Sequence, residues 1–204
     1  MLNKPIFVTG VGTGIGKTIV SAVLVEKLKA DYWKPIQSGD LDSSDTSKVQ
    51  SLVTNTKSVF HPEAYRLTQP FSPHKSAAID GITIDPEKII LPVTDNTLII
   101  EGAGGLMVPL NNNFLVIDLI RQLGAEVILV SQNYLGSINH TLLSIYTLKK
   151  EHIPVKGIIF NGIEDSDSET CIRDYSKLDI LGHIPQFEQT DNQTIIKAGN
   201  YLNI

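Results

Sequence analysis

The sequence has little cysteine, no long apolar run and no basic cluster, and each absence excludes a class of protein. Cys171 is the only cysteine in 204 residues, so the chain can form no internal disulfide and no cysteine-based zinc site. No apolar run approaches the ~20 residues that a membrane-spanning helix needs. No basic run is longer than Lys149-Lys150 and the net charge is -5, so no nucleic-acid partner is expected.

The start of the chain shows no export signal. Residues 1–5 lead directly into a strand-like segment, without the apolar stretch and small-residue cleavage site of a signal peptide. The hydrophobic fraction of 42% and the charged fraction of 19% are those of an average globular protein. We therefore expect one cytoplasmic domain over residues 1–204, with no membrane partner.

Short apolar segments alternate with segments of helical periodicity. Residues 18–30 and 138–150 are predicted as helices, and Asp85-Pro86-Glu87 as the start of another. Strands buried on both faces are predicted at residues 6–9, 32–36, 98–101, 127–131, 157–161 and 180–184. The alternation predicts an α/β fold, a mainly parallel sheet with helices on both faces. The irregular stretches 38–58 and 61–76 are predicted to be functional loops.

A glycine-rich segment, residues 9–18 with the sequence TGVGTGIGKT, lies between the first predicted strand and helix. Glycines let the backbone approach a ligand closely, and the amides at a helix start favour an anion. Lys17 would then reach the β- and γ-phosphates of a nucleotide, and the Thr18 hydroxyl would contact Mg²⁺. A dinucleotide fingerprint fails because Ile15 and Lys17 stand where it needs glycine. The segment therefore predicts a phosphate-binding loop (P-loop), although five residues rather than four separate Gly10 from Gly16.

Two charged residues at predicted strand ends are candidates for the rest of the site. Glu101 ends the apolar run 97–101 and is a plausible magnesium ligand, the alternative being a solvated charge at a strand end. Lys34 lies inside the second predicted strand, near its end, where burying an ammonium is costly unless it is paired or faces a polar cleft. A lysine there would help to stabilise a transferred phosphoryl group. The alternative is a side chain that extends to solvent at the sheet edge.

Taken in order, these motifs resemble the dethiobiotin synthetase family, including its five-residue gap in the P-loop. The matching segments span residues 6 to about 187. They are TGVGTGIGKT at 9–18, KPIQSG at 34–39, Ser44-Asp45, Ser72-Pro73-His74, EGAGG at 101–105, LGSINH at 135–140, Asn161 and GHIP at 182–185.

The resemblance implies a P-loop NTPase-like fold and an ATP-dependent ligase that acts on 7,8-diaminononanoate and CO₂. One amine of the substrate captures CO₂ as a carbamate, which the γ-phosphate of ATP activates as a mixed anhydride. The second amine then closes the cyclic urea and expels phosphate, which leaves dethiobiotin and ADP. Such a site must position the reactants and neutralise charge.

The resemblance also implies roles for particular residues. Lys34 and Lys17 are expected to be catalytic, Thr18, Asp45 and Glu101 to hold Mg²⁺, and Ser38, Thr13 and Asn139 to contact substrate. The nucleotide is expected to bind Thr13, Gly14, Ile15, Gly16, Lys17, Thr18, Asp45, Glu101, Gly102, Ala103, Gly104, Asn161, Ile184, Pro185 and Gln186. Asn161 would read the adenine. A homodimer is implied, with the helix start at 135–140 facing the substrate bound by the other copy.

Some alternatives stay open. Asp42 or Ser47 could replace Asp45 as a metal ligand, because the segment between Ser38 and Asp45 is short. A cobyrinic acid diamide synthase-like ligase would usually add a glutaminase domain with a nucleophilic cysteine. A partition- or division-type ATPase switch would carry a further lysine early in the P-loop, where residues 11–15 contain none. The five histidines show no metal-ligand spacing, and His152 and His183 are expected at the surface or at strand ends.

Overall fold

The computed structural model describes residues 4–204, so residues 1–3 at the start of the chain lie outside the described part. Its strands are β1 (Ile6–Gly10), β2 (Asp31–Trp33), β3 (Ile36–Ser38), β4 (Phe60–His61), β5 (Tyr65–Leu67), β6 (Leu98–Gly105), β7 (Glu126–Ser131), β8 (Val155–Gly162) and β9 (Ile180–Pro185). Its helices are α1 (Lys17–Leu28), α2 (Asp45–Leu52), α3 (Pro73–Ile79), α4 (Val116–Gln122), α5 (Ser137–Lys150), α6 (Ser166–Ser176) and α7 (Asn192–Ala198). None of the helices in residues 4–204 has the length and apolarity to cross a membrane.

Seven strands form one sheet in the order β4-β2-β6-β1-β7-β8-β9, and all their pairings are parallel. Alternate residues of each strand enter separate cores on the two faces. Phe7 of β1 packs on the face covered by α4, α5 and α6, and Val8 packs on the face covered by α1, α2 and α7. The predicted α/β fold with a mainly parallel sheet is thus confirmed.

Several predicted elements differ in the structure. The predicted strand 32–36 is two strands, because the chain leaves the main sheet at Lys34-Pro35 and β3 pairs with β5 in a separate two-stranded sheet. Proline has no backbone N–H for a sheet hydrogen bond. The predicted helix start at Asp85 gives a single 3-10 turn, Pro86–Lys88, which Asp85 caps.

The predicted loops 38–58 and 61–76 are more regular than expected. The first contains α2, and the second contains β5 and the start of α3. Helix α2 begins where the Ser44 hydroxyl accepts a hydrogen bond from the Ser47 amide. Only Val49 of α2 is buried, so the helix shows almost no apolar periodicity in the sequence.

Candidate functional site

The P-loop joins β1 to α1 at the carboxyl edge of the sheet. Gly14 and Gly16 have φ angles of 76° and 89°, a conformation that favours glycine. A Cβ at Gly16 would lie 2.2 Å from the Asn161 side-chain nitrogen, so a larger residue there would force Asn161 to move. No side chain in residues 4–204 caps the start of α1 at Gly16. Its first amides are therefore available to an anion, as the glycine pattern predicts.

Lys17 lies at the start of α1, almost buried beneath the loop. Its ammonium donates a hydrogen bond to the Gly12 carbonyl at 2.8 Å. The pKa of Lys17 is lowered to about 8, mainly by burial; the charge of Glu101 opposes this effect, and the charge of Lys34 adds to it. A bound phosphate group would supply a negatively charged partner for this ammonium.

Glu101 is the centre of a buried polar cluster. Oε1 accepts hydrogen bonds from the Thr18 hydroxyl at 2.9 Å and from Lys34 Nζ at 3.0 Å, and Oε2 accepts one from the Tyr32 hydroxyl at 2.9 Å. The strand register explains this convergence. Trp33 of β2 pairs with Ile100 of β6, so Lys34 and Glu101 follow side by side.

Lys34 lies between two carboxylates. Its ammonium is 2.5 Å from Asp45 Oδ2 and 3.0 Å from Glu101 Oε1. Burial alone would lower the pKa of Lys34, but the charges of Glu101 and Asp45 outweigh it and raise the pKa above its usual value. For Asp45 the two effects have the opposite signs. Burial would raise its pKa, but the charge of Lys34 outweighs burial and lowers the pKa. Lys34 is therefore a paired cation, and its side chain does not extend to solvent.

A cavity of about 730 Å³ opens beside this cluster. The predicted site residues that line it are Thr13, Gly14, Gly16, Lys17, Thr18, Lys34, Ser38, Asp45, Glu101, Gly102, Ala103 and Gly104. The Ser38 hydroxyl is buried and has no hydrogen-bond partner among the described residues. A bound substrate with a polar group would satisfy it.

A second cavity, of about 330 Å³, lies at the ends of β8 and β9. The predicted base-binding residues Asn161, Ile184, Pro185 and Gln186 line it. Asn161 also connects it to the P-loop, because its amide donates a hydrogen bond to the Ile15 carbonyl at 3.2 Å. The Ile15 side chain itself is buried in the core below.

Not every predicted residue joins these cavities. Asn139 is exposed in the first turn of α5 and lines neither of them. Asp42 lies in a 3-10 turn and Ser47 donates to the Ser44 carbonyl, whereas Asp45 contacts Lys34. His183 is not a surface or strand-end residue as expected. It lies within β9, half-buried, and both ring nitrogens have partners.

Some site residues were not predicted from the sequence. The Tyr32 hydroxyl holds the Glu101 carboxylate in place through a hydrogen bond. The one indication of this in the sequence is that a tyrosine in a buried strand needs a partner for its hydroxyl. Gln37 accepts a hydrogen bond from the Asp45 amide at 3.1 Å and donates one to the Gly39 carbonyl at 2.9 Å. It thereby holds Asp45 beside Lys34, and nothing in the local sequence indicates this. Phe71 and Asn133 also line the cavities.

The oxygen atoms beside Lys17 fit a magnesium ion. The Thr18 hydroxyl and the carboxylates of Glu101 and Asp45 are hard oxygen donors, the ligands that Mg²⁺ prefers. No group of three or more His, Cys, Asp or Glu residues suited to a metal occurs in residues 4–204. The three oxygen donors Thr18, Asp45 and Glu101 would leave the remaining coordination positions of Mg²⁺ to phosphate and water.

The chain is similar over nearly its whole length to proteins named ATP-dependent dethiobiotin synthetase BioD. It is 51% identical to the one from Christiangramia forsetii over 194 residues, which cover 95% of this chain and 93% of the relative. It is 48% identical to the one from Cytophaga hutchinsonii, with 94% and 93% covered. A family model described as an AAA domain matches residues 4–194.

Solved structures with the same fold include ATPases of low sequence identity. A ParA family ATPase from Chlorobium tepidum TLS superimposes with a TM-score of 0.59 at 16% identity over 100% of both chains. The septum site-determining protein MinD from Pyrococcus horikoshii OT3, complexed with Mg-ADP, gives 0.60 at 17% identity over 96% of this chain and 94% of its own. At such identity the likeness shows the fold alone.

Proposed function

The chain belongs to the ATP-dependent dethiobiotin synthetase family, and from this premise we propose that it makes dethiobiotin from 7,8-diaminononanoate, CO₂ and ATP. The observation that carries the proposal is the position of Lys34. Its ammonium is held between Asp45 and Glu101, in a cavity that the P-loop also lines. Negative charge builds up there when a phosphoryl group moves from ATP to a second anion.

The proposed reaction forms and breaks bonds in three steps. One substrate amine adds to CO₂ and loses a proton, which gives a carbamate. A carbamate oxygen then attacks the γ-phosphorus of ATP, and the bond to ADP breaks. Finally the second amine attacks the carbamate carbon and loses a proton, and phosphate leaves with the former carbamate oxygen as the ring closes. Positioning and charge neutralisation accelerate these steps without a covalent enzyme intermediate.

The cavity residues supply that positioning. The amides at the start of α1 and the Lys17 ammonium hold the phosphates, and Ser38 offers a hydroxyl to the substrate. Lys34 keeps its proton because Glu101 and Asp45 raise its pKa, so it remains a cation for the carbamate and the γ-phosphate. Thr18, Asp45 and Glu101 would hold Mg²⁺, which when bound neutralises charge on the β- and γ-phosphates.

We also propose a homodimer that works in a reducing cytoplasm. A lone cysteine, Cys171, is consistent with that compartment. Exposed apolar side chains on and near α5 support the dimer, since exposed apolar surface marks interaction sites. We call this set of residues the α5 patch: Met107, Tyr134, Leu135, Leu143 and Tyr146. The uncapped start of α5, with Asn139 in its first turn, would then face the substrate carboxylate in the other copy.

The proposal is tested by measuring ADP and dethiobiotin in the same reaction. We expect ADP release to require both 7,8-diaminononanoate and bicarbonate, with one dethiobiotin formed for each ADP. ATP hydrolysis at the same rate without the diamine would contradict it and would favour an ATPase of another kind. The lack of a lysine at residues 11–15 argues against a partition-type switch.

A further inference from the structure

The two oxygens of the Glu101 carboxylate have different surroundings. Oε1 accepts hydrogen bonds from Thr18 and Lys34, which both line the 730 Å³ cavity. Oε2 accepts one from the hydroxyl of Tyr32, which is fully buried and does not line that cavity. Oε1 is therefore the oxygen on the side of the cavity, and Oε2 is turned toward the protein interior.

Tyr32 is held in place by the strands around it. It lies in β2 opposite Ile99 of β6 and Phe60 of β4, in the core on the face covered by α1, α2 and α7. Side chains two residues apart in a strand lie on the same face, so Glu101 is the next residue of β6 on the face of Tyr32. The Tyr32 ring also packs against Phe60, with the centroids 6.2 Å apart. The hydroxyl consequently reaches Glu101 Oε2 from a fixed position.

A carboxylate held in this way offers one oxygen to a metal ion. Turning the Glu101 carboxylate so that both oxygens face the cavity would leave the buried Tyr32 hydroxyl without its partner, which is unfavourable. Ca²⁺ accepts many oxygen ligands in a flexible arrangement and often takes both oxygens of one carboxylate. Mg²⁺ demands a strict octahedral arrangement and takes few of its ligands from carboxylates. A single available oxygen therefore favours Mg²⁺.

We propose that Tyr32 is a positioning residue that makes the metal site selective for Mg²⁺ over Ca²⁺, by restricting Glu101 to one ligating oxygen. The inference rests on the proposed function in one respect, because it takes Glu101 as a ligand of the metal ion that binds with the nucleotide. Tyr32 itself does not reach the cavity and acts through the Glu101 carboxylate.

The test compares the affinity of the protein for ADP in excess Mg²⁺, in excess Ca²⁺ and in EDTA, measured by isothermal titration calorimetry. The wild type should bind ADP more tightly with Mg²⁺ than with Ca²⁺. Tyr32→Phe removes only the hydroxyl, so Glu101 can turn both oxygens toward the ion. The preference for Mg²⁺ should then fall roughly 5- to 10-fold, the range expected for one hydrogen bond. The affinity in EDTA should stay close to that of the wild type.

Tyr65→Phe is the matched control. The Tyr65 hydroxyl is also hydrogen-bonded within the protein, since it accepts from the Asp85 amide at 2.9 Å and donates to the Asp85 carbonyl at 3.3 Å. Tyr65 lines neither the 730 Å³ nor the 330 Å³ cavity. Loss of its hydroxyl should leave the ratio of the Mg²⁺ and Ca²⁺ affinities unchanged.

A double variant tests whether Tyr32 acts through Glu101. The side chain of Glu101→Gln has one oxygen, so it cannot offer a second one to the ion even when it is free to turn. Adding Tyr32→Phe to Glu101→Gln should therefore cause no further change in the ratio. A further change as large as that of Tyr32→Phe alone would overturn the inference.

The other outcomes separate this inference from the proposed function. An unchanged ratio in Tyr32→Phe, or ADP binding weakened by the same factor with both ions and in EDTA, would overturn only the role of Tyr32. Wild-type ADP affinity that does not depend on the added ion would overturn the metal site and this inference together. The expected ion preferences in a protein that forms no dethiobiotin would overturn the proposed reaction and support the role of Tyr32.

Discussion

Glu101 has a buried carboxylate on which three donors converge, one from the start of α1 and two from β2 and the residue after it. Thr18 is the second residue of α1, Tyr32 lies in β2 and Lys34 follows β2. A carboxylate so placed is already desolvated and oriented before any ligand arrives. That arrangement suits a group that must hold a metal–phosphate complex in one geometry.

Replacing Lys34 separates catalysis from nucleotide binding. Lys34→Ala should lower product formation by roughly 10²- to 10³-fold, as expected when one donor to developing charge is lost. The affinity for ADP should stay close to that of the wild type, since the P-loop amides and Lys17 remain. Rates would be measured by dethiobiotin formation and affinities by isothermal titration calorimetry.

Lys48 provides the matched control for this experiment. It is a partly exposed lysine that also approaches Asp45, at 3.8 Å, whereas Lys34 is the lysine that contacts Glu101. Lys48→Ala should therefore retain nearly full activity. If ADP affinity fell in parallel with the rate in Lys34→Ala, Lys34 would be a ground-state phosphate ligand instead.

Residues that a local motif identifies could be predicted from the sequence, and residues defined by contacts could not. Lys17 and Thr18 end a glycine-rich loop, and Lys34 is an ammonium in an otherwise apolar segment. Gln37 and Asn133, in contrast, look like ordinary polar loop residues. Their hydrogen-bond partners, the Asp45 amide and the Glu169 carboxylate, are brought near by the fold alone.

At the scale of elements, the interruption of β2 by Lys34-Pro35 determines the shape of the site. Because the chain leaves the main sheet there, β3 and β5 form a small second sheet, and α2 returns to place Asp45 beside Lys34. Apolar runs predict the central strands well, since those strands are buried on both faces. They do not predict α2, which is largely polar, or β4 and β5, which are only two and three residues long.

Asp31 joins the outer part of the main sheet to the loop before β6. Its buried carboxylate accepts hydrogen bonds from the Val59 amide, the Thr94 hydroxyl and the Asn96 side chain, and lies 3.2 Å from His61 Nε2. Burial would raise the pKa of Asp31, but the hydrogen bonds from Thr94, Val59 and Asn96 outweigh it and lower the pKa. A carboxylate whose pKa is lower in the folded than in the unfolded protein stabilises the fold at pH values above its unfolded-state pKa. That stabilisation is lost as the pH falls through its folded-state pKa.

The free energy of unfolding of Asp31→Asn should therefore depend less on pH in the acid range than that of the wild type. We expect the variant to be less stable than the wild type by about 1–3 kcal/mol at pH 7, because its amide cannot accept all these hydrogen bonds. The difference should shrink as the pH falls below about 4, where the wild-type carboxylate also gains a proton. Urea denaturation of both proteins at several pH values measures it, and a constant difference across that range would contradict the account.

At the scale of the whole molecule, the groups to which we assign a function lie along one edge of the sheet. The P-loop after β1, Lys34 after β2, Glu101 in β6 and the 330 Å³ cavity at the ends of β8 and β9 all lie toward the carboxyl ends of parallel strands. Open α/β sheets bind ligands at that edge. The ParA and MinD neighbours share this architecture, so the residues placed on it, rather than the fold, distinguish the proposed activity.

The proposed dimer is tested at the α5 patch. Leu135 is 105% exposed, so its side chain contacts little else in the isolated chain. Leu135→Glu should convert a dimer into a monomer, because it would bury a charge in the interface. Light scattering coupled to size-exclusion chromatography measures this.

Val93 offers a control for the same substitution, because it is 101% exposed and lies outside the α5 patch. Val93→Glu should leave the mass unchanged. A wild-type protein that stays monomeric at assay concentrations would exclude the dimer.

The fate of one oxygen atom tests the phosphorylated carbamate most directly. In a first turnover with ¹⁸O-labelled bicarbonate, ATP and 7,8-diaminononanoate, we expect one labelled oxygen in the released phosphate, detected by ³¹P NMR or mass spectrometry. The label would arrive because the carbamate oxygen bonds to the γ-phosphorus and departs with it when the ring closes. Phosphate that carries no label while dethiobiotin accumulates would contradict this chemistry.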